Sequence, residues 1–514
     1  MLAKIIIIII FFAVMVGVGA YSRRHATDVN GFVLGGRSVG PWLTAFAYGT
    51  SYFSAVVFVG YAGQFGWRYG VASTWIGIGN ALIGSLLAWV VLGRRTRVMT
   101  NHLSTATMPD YFGKRFDSKA LKIAASVIIF VFLIPYTASV YNGLSRLFEM
   151  AFGIPYAICV IVMAALTALY VILGGYMATA INDFIQGIIM LVGIVMVIVT
   201  VLNGQGGFTE AMRNLSLIES ESAATAGQVG AYTSFFGADP LGLLGVVILT
   251  SLGTWGLPQM VHKFYSIKSE RAVKTGTVIS TLFAIVISCG SYFLGGFGRL
   301  FDGAEVRDAS GNVIYDSIIP TMLSRLPDIF IGIVVVLVLS ASMSTLSSLV
   351  LTSSSTLTLD LIRDSFKKDM SEKRQLLIMR IFIFVFIAIS VILALDPPTF
   401  IAQLMGISWG ALAGAFLAPF LYGLYWKRTT KAAVWVSFAT GVGFTVLNMF
   451  TKWMSSINAG ALTMIAGLIL VPLISLVTRR PNEEHTEAIF SCYNEVVTVP
   501  KSVALNTDSA QQEQ

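Results

Sequence analysis

Two groups of residues in this sequence have the types and the spacing to hold a cation away from water. The first is the hydroxyl run LSASMSTLSSLVLTSSSTLTLD, where Ser344, Ser347 and Ser348 recur at intervals of three and four with Thr345 beside them. On a helix this spacing sets the three serines on one face. Hydroxyl oxygens together with backbone carbonyls left free at a helix break are hard, neutral ligands suited to a bare cation. Serine and threonine also bond back to the carbonyl of the preceding turn; that reading suffices for one serine and is strained by this density. The second group centres on Asp183 in GGYMATAINDFIQG. A carboxylate within an apolar span costs about 2.5–3.5 kcal/mol on insertion scales, so it needs a partner. No lysine or arginine lies within a turn or two of it on the same helix, which leaves a bound cation, hydroxyls or a charge from another helix. An interfacial aspartate wetted by water is the plainer alternative.

Other chemistries find little support. Cys159 and Cys289 sit in apolar runs and Cys492 in the tail, with no spacing for a disulfide framework or a zinc site. The four histidines, His25, His102, His262 and His485, fall at or beyond the ends of the apolar runs, so no buried imidazole is expected for proton relay or metal ligation. There is no P-loop, no H-E-x-x-H and no G-x-S-x-G, so neither nucleotide hydrolysis nor a familiar hydrolase is indicated.

The elements that must position these residues are membrane helices. Of 514 residues, 56% are hydrophobic and 12% charged, against roughly 25% charged in an ordinary soluble domain. The charge gathers between apolar runs of about 20 residues, the length that crosses the hydrocarbon of a bilayer. A strand barrel would need alternating segments of about 10 residues, which are absent. Thirteen such runs are read, an all-α polytopic plan that puts the termini on opposite sides. Of 34 lysines and arginines, only Lys4, Arg68, Arg146, Arg213, Arg299, Arg307, Arg325 and Lys452 then fall on the side of the N-terminus. By the positive-inside rule the N-terminus is outside and the C-terminus cytoplasmic, in a plasma (inner) membrane. The net charge of +8 is thereby explained by topology rather than by nucleic acid. The first run is followed, not preceded, by its charged cluster SRRH, and reads as an uncleaved anchor.

Spans 2 and 7 are each interrupted near the middle, by Gly49, Thr50 and Ser51 in one and by Gly253, Gly256 and Pro258 in the other. Glycine also serves close helix packing, but a matched pair of breaks is the mark of transporters built from inverted repeats. An odd separation of five spans gives the two blocks opposite directions. The expected organisation is an outside-in helix at 1–22, a five-helix repeat at 40–203, a second, inverted five-helix repeat at 240–426, two peripheral helices at 431–478 and a flexible cytoplasmic tail at 479–514.

The runs GGYMATAINDFIQG and SMSTLSSLVLTSSSTLTLDL, with the thirteen-helix plan, resemble the sodium:solute symporter family, and IPYTASVYNGLSRLFEMAFGIPY is most similar to its bacterial sodium/proline branch. The resemblance implies sodium-coupled uptake of a small organic solute, with Na+ as the coupling ion, the lipid bilayer as a partner and no nucleic acid. It puts sodium ligands on Thr50, Phe53, Ala341, Ser344 and Thr345. Some members hold a second sodium at positions matching Asp183, Ser344, Ser347 and Ser348, which leaves a one- or two-sodium cycle open. For the solute it implies a pocket between spans 2, 4 and 7, at Ser54, Tyr136, Thr254 and Trp255. Ala55, Val56, Val57 and Phe58 stand where sugar carriers of the family place polar side chains. That favours an amino acid such as proline, a monocarboxylate or a vitamin-like acid over a sugar. A proton-coupled carrier in which Asp183 titrates, and a sensor or channel without coupled transport, are the rival readings.

Overall fold

In lipid every backbone amide must find a partner within the chain, and helices achieve that segment by segment. The computed structural model describes residues 2–23, 27–363 and 370–494. Arg24, His25, Lys367, Lys368, Lys501 and the tail from residue 495 lie outside the described residues. Within them the chain is helical throughout, apart from turns, loops and two isolated bridges, Val39 with Ile267 and Arg307 with Val313.

The spans are α1 (Leu2–Ser22), α2a (Pro41–Tyr52), α2b (56–69), α3 (74–102), α4 (Lys119–Phe152), α5 (156–174) and α6 (176–204). They continue with α7a (Pro240–Gly256), α7b (Pro258–Ser266), α8 (Glu270–Gly295), α9 (Ile329–Arg363), α10 (Glu372–Leu395), α11 (Ile401–Tyr425), α12 (Lys431–Thr451) and α13 (Ser456–Val477). Among the described residues, nine helical runs are individually long and apolar enough to cross a membrane, ten when α7a and α7b, bent by 45°, count as one. Thirteen rods result among the described residues once the run Val56–His102 is divided at its turn, the helix Tyr156–Gly204 is divided at Gly175, and α1, whose apolar stretch Ile8–Ser22 is shorter, is counted with them.

Local sequence sets these boundaries. Ser118, Asp239, Thr430 and Ser455 each accept the amide of the residue three further on, capping α4, α7a, α12 and α13. Gly175 separates α5 from α6 with φ 56° and ψ −151°, a conformation open essentially to glycine alone. In α3 a π-helical stretch, Asn80–Leu87, loosens the regular ladder. Its Gly84 carbonyl accepts from Tyr48 (2.7 Å) and Thr254 (3.1 Å), and its Ile83 carbonyl from Trp255 (3.0 Å).

The connections form two faces. At the basic end Arg37 donates to the carbonyls of Tyr265, Thr100 and Thr105, and Arg97 to that of Ile267. There too Lys122 pairs with Asp110 (2.6 Å) and Asp360 (3.3 Å), tying α4 to the end of α9. At the far end Arg299 lies over Trp67 and Tyr232 and pairs with Glu221, while Asp316 accepts the first amide of α11.

The expectation of a flexible tail over 479–514 needs correction in its described part, up to Asn494. Residues Glu483–Phe490 form a further helix, α14, seated on the basic end. Lys427 bonds both oxygens of Glu487 at 2.7 Å, and the Arg115 guanidinium stands 4.9 Å from the Phe490 ring. Arg95 is held between Tyr425 and Tyr493 at 4.1 and 4.5 Å. Few apolar residues suffice to dock this segment because cation–π contacts supply much of its attachment.

The backbones of α2b and α8 touch. A Cβ at Gly66 would stand 2.0 Å from the Gly295 carbonyl, and one at Gly295 2.1 Å from that of Ala62. Overpacking against side chains alone costs about 1–3 kcal/mol, and here the obstacle is main chain. Gly66→Ala and Gly295→Ala are therefore expected to lose more than about 3 kcal/mol of stability. The check is the yield of monodisperse protein in detergent and its unfolding temperature, with Gly17→Ala, where open space surrounds the residue, as the neutral control.

Candidate functional site

The centre of the site is made where α2 stops. Phe53 leaves the helix at φ −111° and ψ 93°, and Ser54 starts the second half by accepting the Val56 amide on its hydroxyl at 3.2 Å. The break thus falls after Tyr52, one turn beyond the Gly49–Ser51 position read from sequence. Gly49 instead makes room for the Phe283 ring, which a Cβ would meet at 2.4 Å.

A helix that stops at Phe53 leaves the carbonyls of Thr50 and Ser51 without their usual donors four residues on. Hydroxyls of α9 take those places. Ser344 Oγ donates to the Thr50 carbonyl at 2.9 Å, and Thr345 Oγ1 lies 3.3 Å from it and 3.4 Å from that of Ser51. Both hydroxyls also lie 3.1 Å from the Ala341 carbonyl of their own helix. Four of the five expected ligands, Thr50, Ala341, Ser344 and Thr345, are therefore in mutual contact and buried. Phe53 contributes the break, its ring stacked on Tyr52 at 4.3 Å, while the hydroxyl bonds run to Thr50, Ser51 and Ala341. Each hydroxyl can rotate its proton away and present a lone pair, so the same oxygens that now close on one another can face a cation.

The second group gathers around Asp183, and it contains a residue that the sequence reading assigned elsewhere. Lys263 of α7b, counted among the loop charges of the basic end, is 2% exposed, and its Nζ lies 3.7 Å from Asp183 Oδ2. It also donates to Ser348 Oγ at 2.9 Å, and that hydroxyl bonds Ser51 Oγ at 2.8 Å. The Tyr176 ring lies 5.3 Å from the ammonium. Asp183 is fully buried, so the wetted alternative is set aside and the charge from another helix is found. Ser347 Oγ donates to the Ser344 carbonyl of its own helix at 2.8 Å, as the back-bonding reading has it. His262 is buried as well, between the rings of Tyr176 and Tyr265, which corrects the expectation that no imidazole is buried.

The four residues nominated for a solute divide into two pairs. Ser54 and Tyr136 are neighbours, and Tyr136 meets Trp409 of α11 edge to face at 6.0 Å. Thr254 and Trp255 turn to α3, where they donate to the carbonyls of Gly84 and Ile83. α7 does break as the glycines and Pro258 foretell, at Leu257 with φ −79° and ψ 122°. Beyond it Gln259 is buried with neither amide atom hydrogen-bonded among the described residues. Trp409 and Gln259 carry no signal in the sequence that separates them from packing residues. Lys263 carried one: a basic residue only five positions past Pro258 is within the second half of a broken helix.

The sequence profile of the sodium:solute symporter family matches residues 32–441. The chain is 30% identical over 486 residues to the osmoregulated proline transporter OpuE of Bacillus subtilis (strain 168), covering 92% of this chain and 94% of that one. It is 30% identical over 497 residues to a sodium/proline symporter of Staphylococcus aureus (strain JH9), covering 92% of each. Among solved structures, the substrate-bound outward-open state of a Na+-coupled sialic acid symporter superposes with a TM-score of 0.74 at 16% identity, over 93% of this chain and 98% of that one. That likeness speaks to the fold, and the profile and relatives to the family: this chain is a multi-pass membrane protein that belongs to the sodium:solute symporter family.

Proposed function

We propose that the protein carries L-proline, or a similarly small amino acid, monocarboxylate or vitamin-like acid, into the cell together with sodium by alternating access. The observation that carries this reading is the pair of α9 hydroxyls on the free Thr50 carbonyl at the α2 break. Sodium is assigned to Thr50, Phe53, Ala341, Ser344 and Thr345. Ser54 and Tyr136, with Trp409, are assigned to the solute, and Thr254 and Trp255 to holding α7a against α3. The apolar run Ala55–Phe58 after the break suits a solute with few hydroxyls. The names of the two relatives at 30% identity favour proline first.

In this scheme the blocks 40–203 and 240–426 are the inverted repeats, flanked by the helices within 1–22 and 431–478. The basic end faces the cytoplasm, with the N-terminus outside. Sodium bridging α2 to α9 orders the chain at Phe53 and Ser54, the same residues that border the solute. Each ligand then raises the affinity of the other by an equal factor. Every sodium moved inward with a neutral solute carries one charge, worth about 2.3 kcal/mol per 100 mV of membrane potential.

Purified protein in proteoliposomes should accumulate L-proline when sodium is outside and not when choline replaces it at fixed pH. Uptake that follows a proton gradient with choline outside would transfer the assignment to the proton-coupled rival, and passive equilibration without accumulation would favour the channel. Ser344→Ala and Thr345→Ala each remove one proposed ligand, and losing a hydrogen-bonding partner of a charged group is worth about 1.5–3 kcal/mol. Each should raise the sodium concentration for half-maximal uptake roughly 10-fold or more. Tyr136→Phe should instead raise KM for the solute while leaving sodium activation at saturating solute unchanged.

A further inference from the structure

The family fold allows for a second cation beside Asp183, yet this chain has already put a charge there. The Lys263 ammonium lies between Asp183 Oδ2 at 3.7 Å and Ser348 Oγ at 2.9 Å, with the Tyr176 ring beneath it at 5.3 Å. Ser348 passes the contact on to Ser51 Oγ at 2.8 Å, next to the Thr50 carbonyl. Asp183 is fully buried, its oxygens accept no hydrogen bond among the described residues, and the only ion pair it makes there is with Lys263. The ammonium therefore balances the one carboxylate charge of this pocket. An ammonium and a sodium ion cannot share one carboxylate in a low-dielectric site without repelling each other.

We infer that Lys263 is the resident cation of the Asp183 and Ser348 cluster, and that the protein consequently binds a single sodium ion, at Thr50, Ser344 and Thr345. Lys263 is a positioning residue: it reaches α6, α9 and, through Ser348, the end of α2a from the far half of broken α7. The inference rests on the sodium-coupled reading and deepens it by setting the stoichiometry. It also makes the pair, rather than either charge alone, the requirement. Asp183→Asn would strand an ammonium one residue from the sodium ligands, and Lys263→Met would leave a carboxylate free to take a cation from solution.

Equilibrium binding of 22Na+ to the purified full-length protein, without solute, tests this directly. The wild type should bind one sodium per chain with a Hill coefficient of 1. Lys263→Met should bind two, with the second lost again in Asp183→Asn/Lys263→Met. That charge-neutral double variant should keep one sodium at an affinity within about 3-fold of wild type, while Asp183→Asn alone should weaken it more than 10-fold. Two sodium ions on the wild type, or loss of a sodium in the double variant, would overturn the inference while leaving sodium coupling intact. No sodium on the wild type would overturn the sodium reading and the inference with it. Should Lys263→Met fail to fold, the double variant still decides, because an Asp183 that ligates sodium cannot be replaced without losing an ion.

Discussion

A helix that ends at Phe53 withholds two amide donors from the carbonyls of Thr50 and Ser51, in the middle of a medium that supplies none. A buried, unpaired carbonyl is penalised by about 1–3 kcal/mol, so this defect persists only because Ser344 and Thr345 approach from α9. The need for those hydroxyls fixes the register of α9 against α2. That register in turn aligns Ser348 with Ser51 and with Lys263. The solute region inherits the same constraint, since Ser54 caps α2b at the residue where the chain turns toward Tyr136 and Trp409.

Much of this is legible in the sequence. Apolar runs of membrane length follow from lipid physics and return as helices in the fold. The spacing of Ser344, Ser347 and Ser348 announced one hydroxyl face, and the paired interruptions of spans 2 and 7 announced two broken helices. What pattern could not resolve was which glycine breaks a helix and which admits a neighbour. Gly49 and Gly253 fit the rings of Phe283 and Trp409, whereas the chain actually departs from the helix at Phe53 and Leu257. Spacing likewise could not tell that Ser347 bonds to its own helix while Ser348 reaches across to another.

Lys263 shows a deeper reason for the missing part. Hydropathy windows end a span at its first charge, so a lysine that enters the bilayer in company with an acid from another helix is read as loop. The tail was misread for a related reason. Residues 483–493 are polar enough to look unstructured, yet Phe490 and Tyr493 meet guanidinium groups of Arg115 and Arg95 that are already in place. In both cases the deciding partner is distant in sequence and of opposite character, and composition is blind to such pairs.

The direct crossing of α2b and α8 at Gly66 and Gly295 has a mechanical meaning. Two main chains in van der Waals contact, with no side chains between them to slide or re-pack, behave as a weld. α3 is joined to the same unit, for a Cβ at Gly77 would likewise strike the backbone of Ser288 and Cys289. Contacts of this kind make α2b, α3 and α8 one stiff unit. α2 and α7 themselves come apart beside this unit, at Phe53–Ser54 and at Leu257.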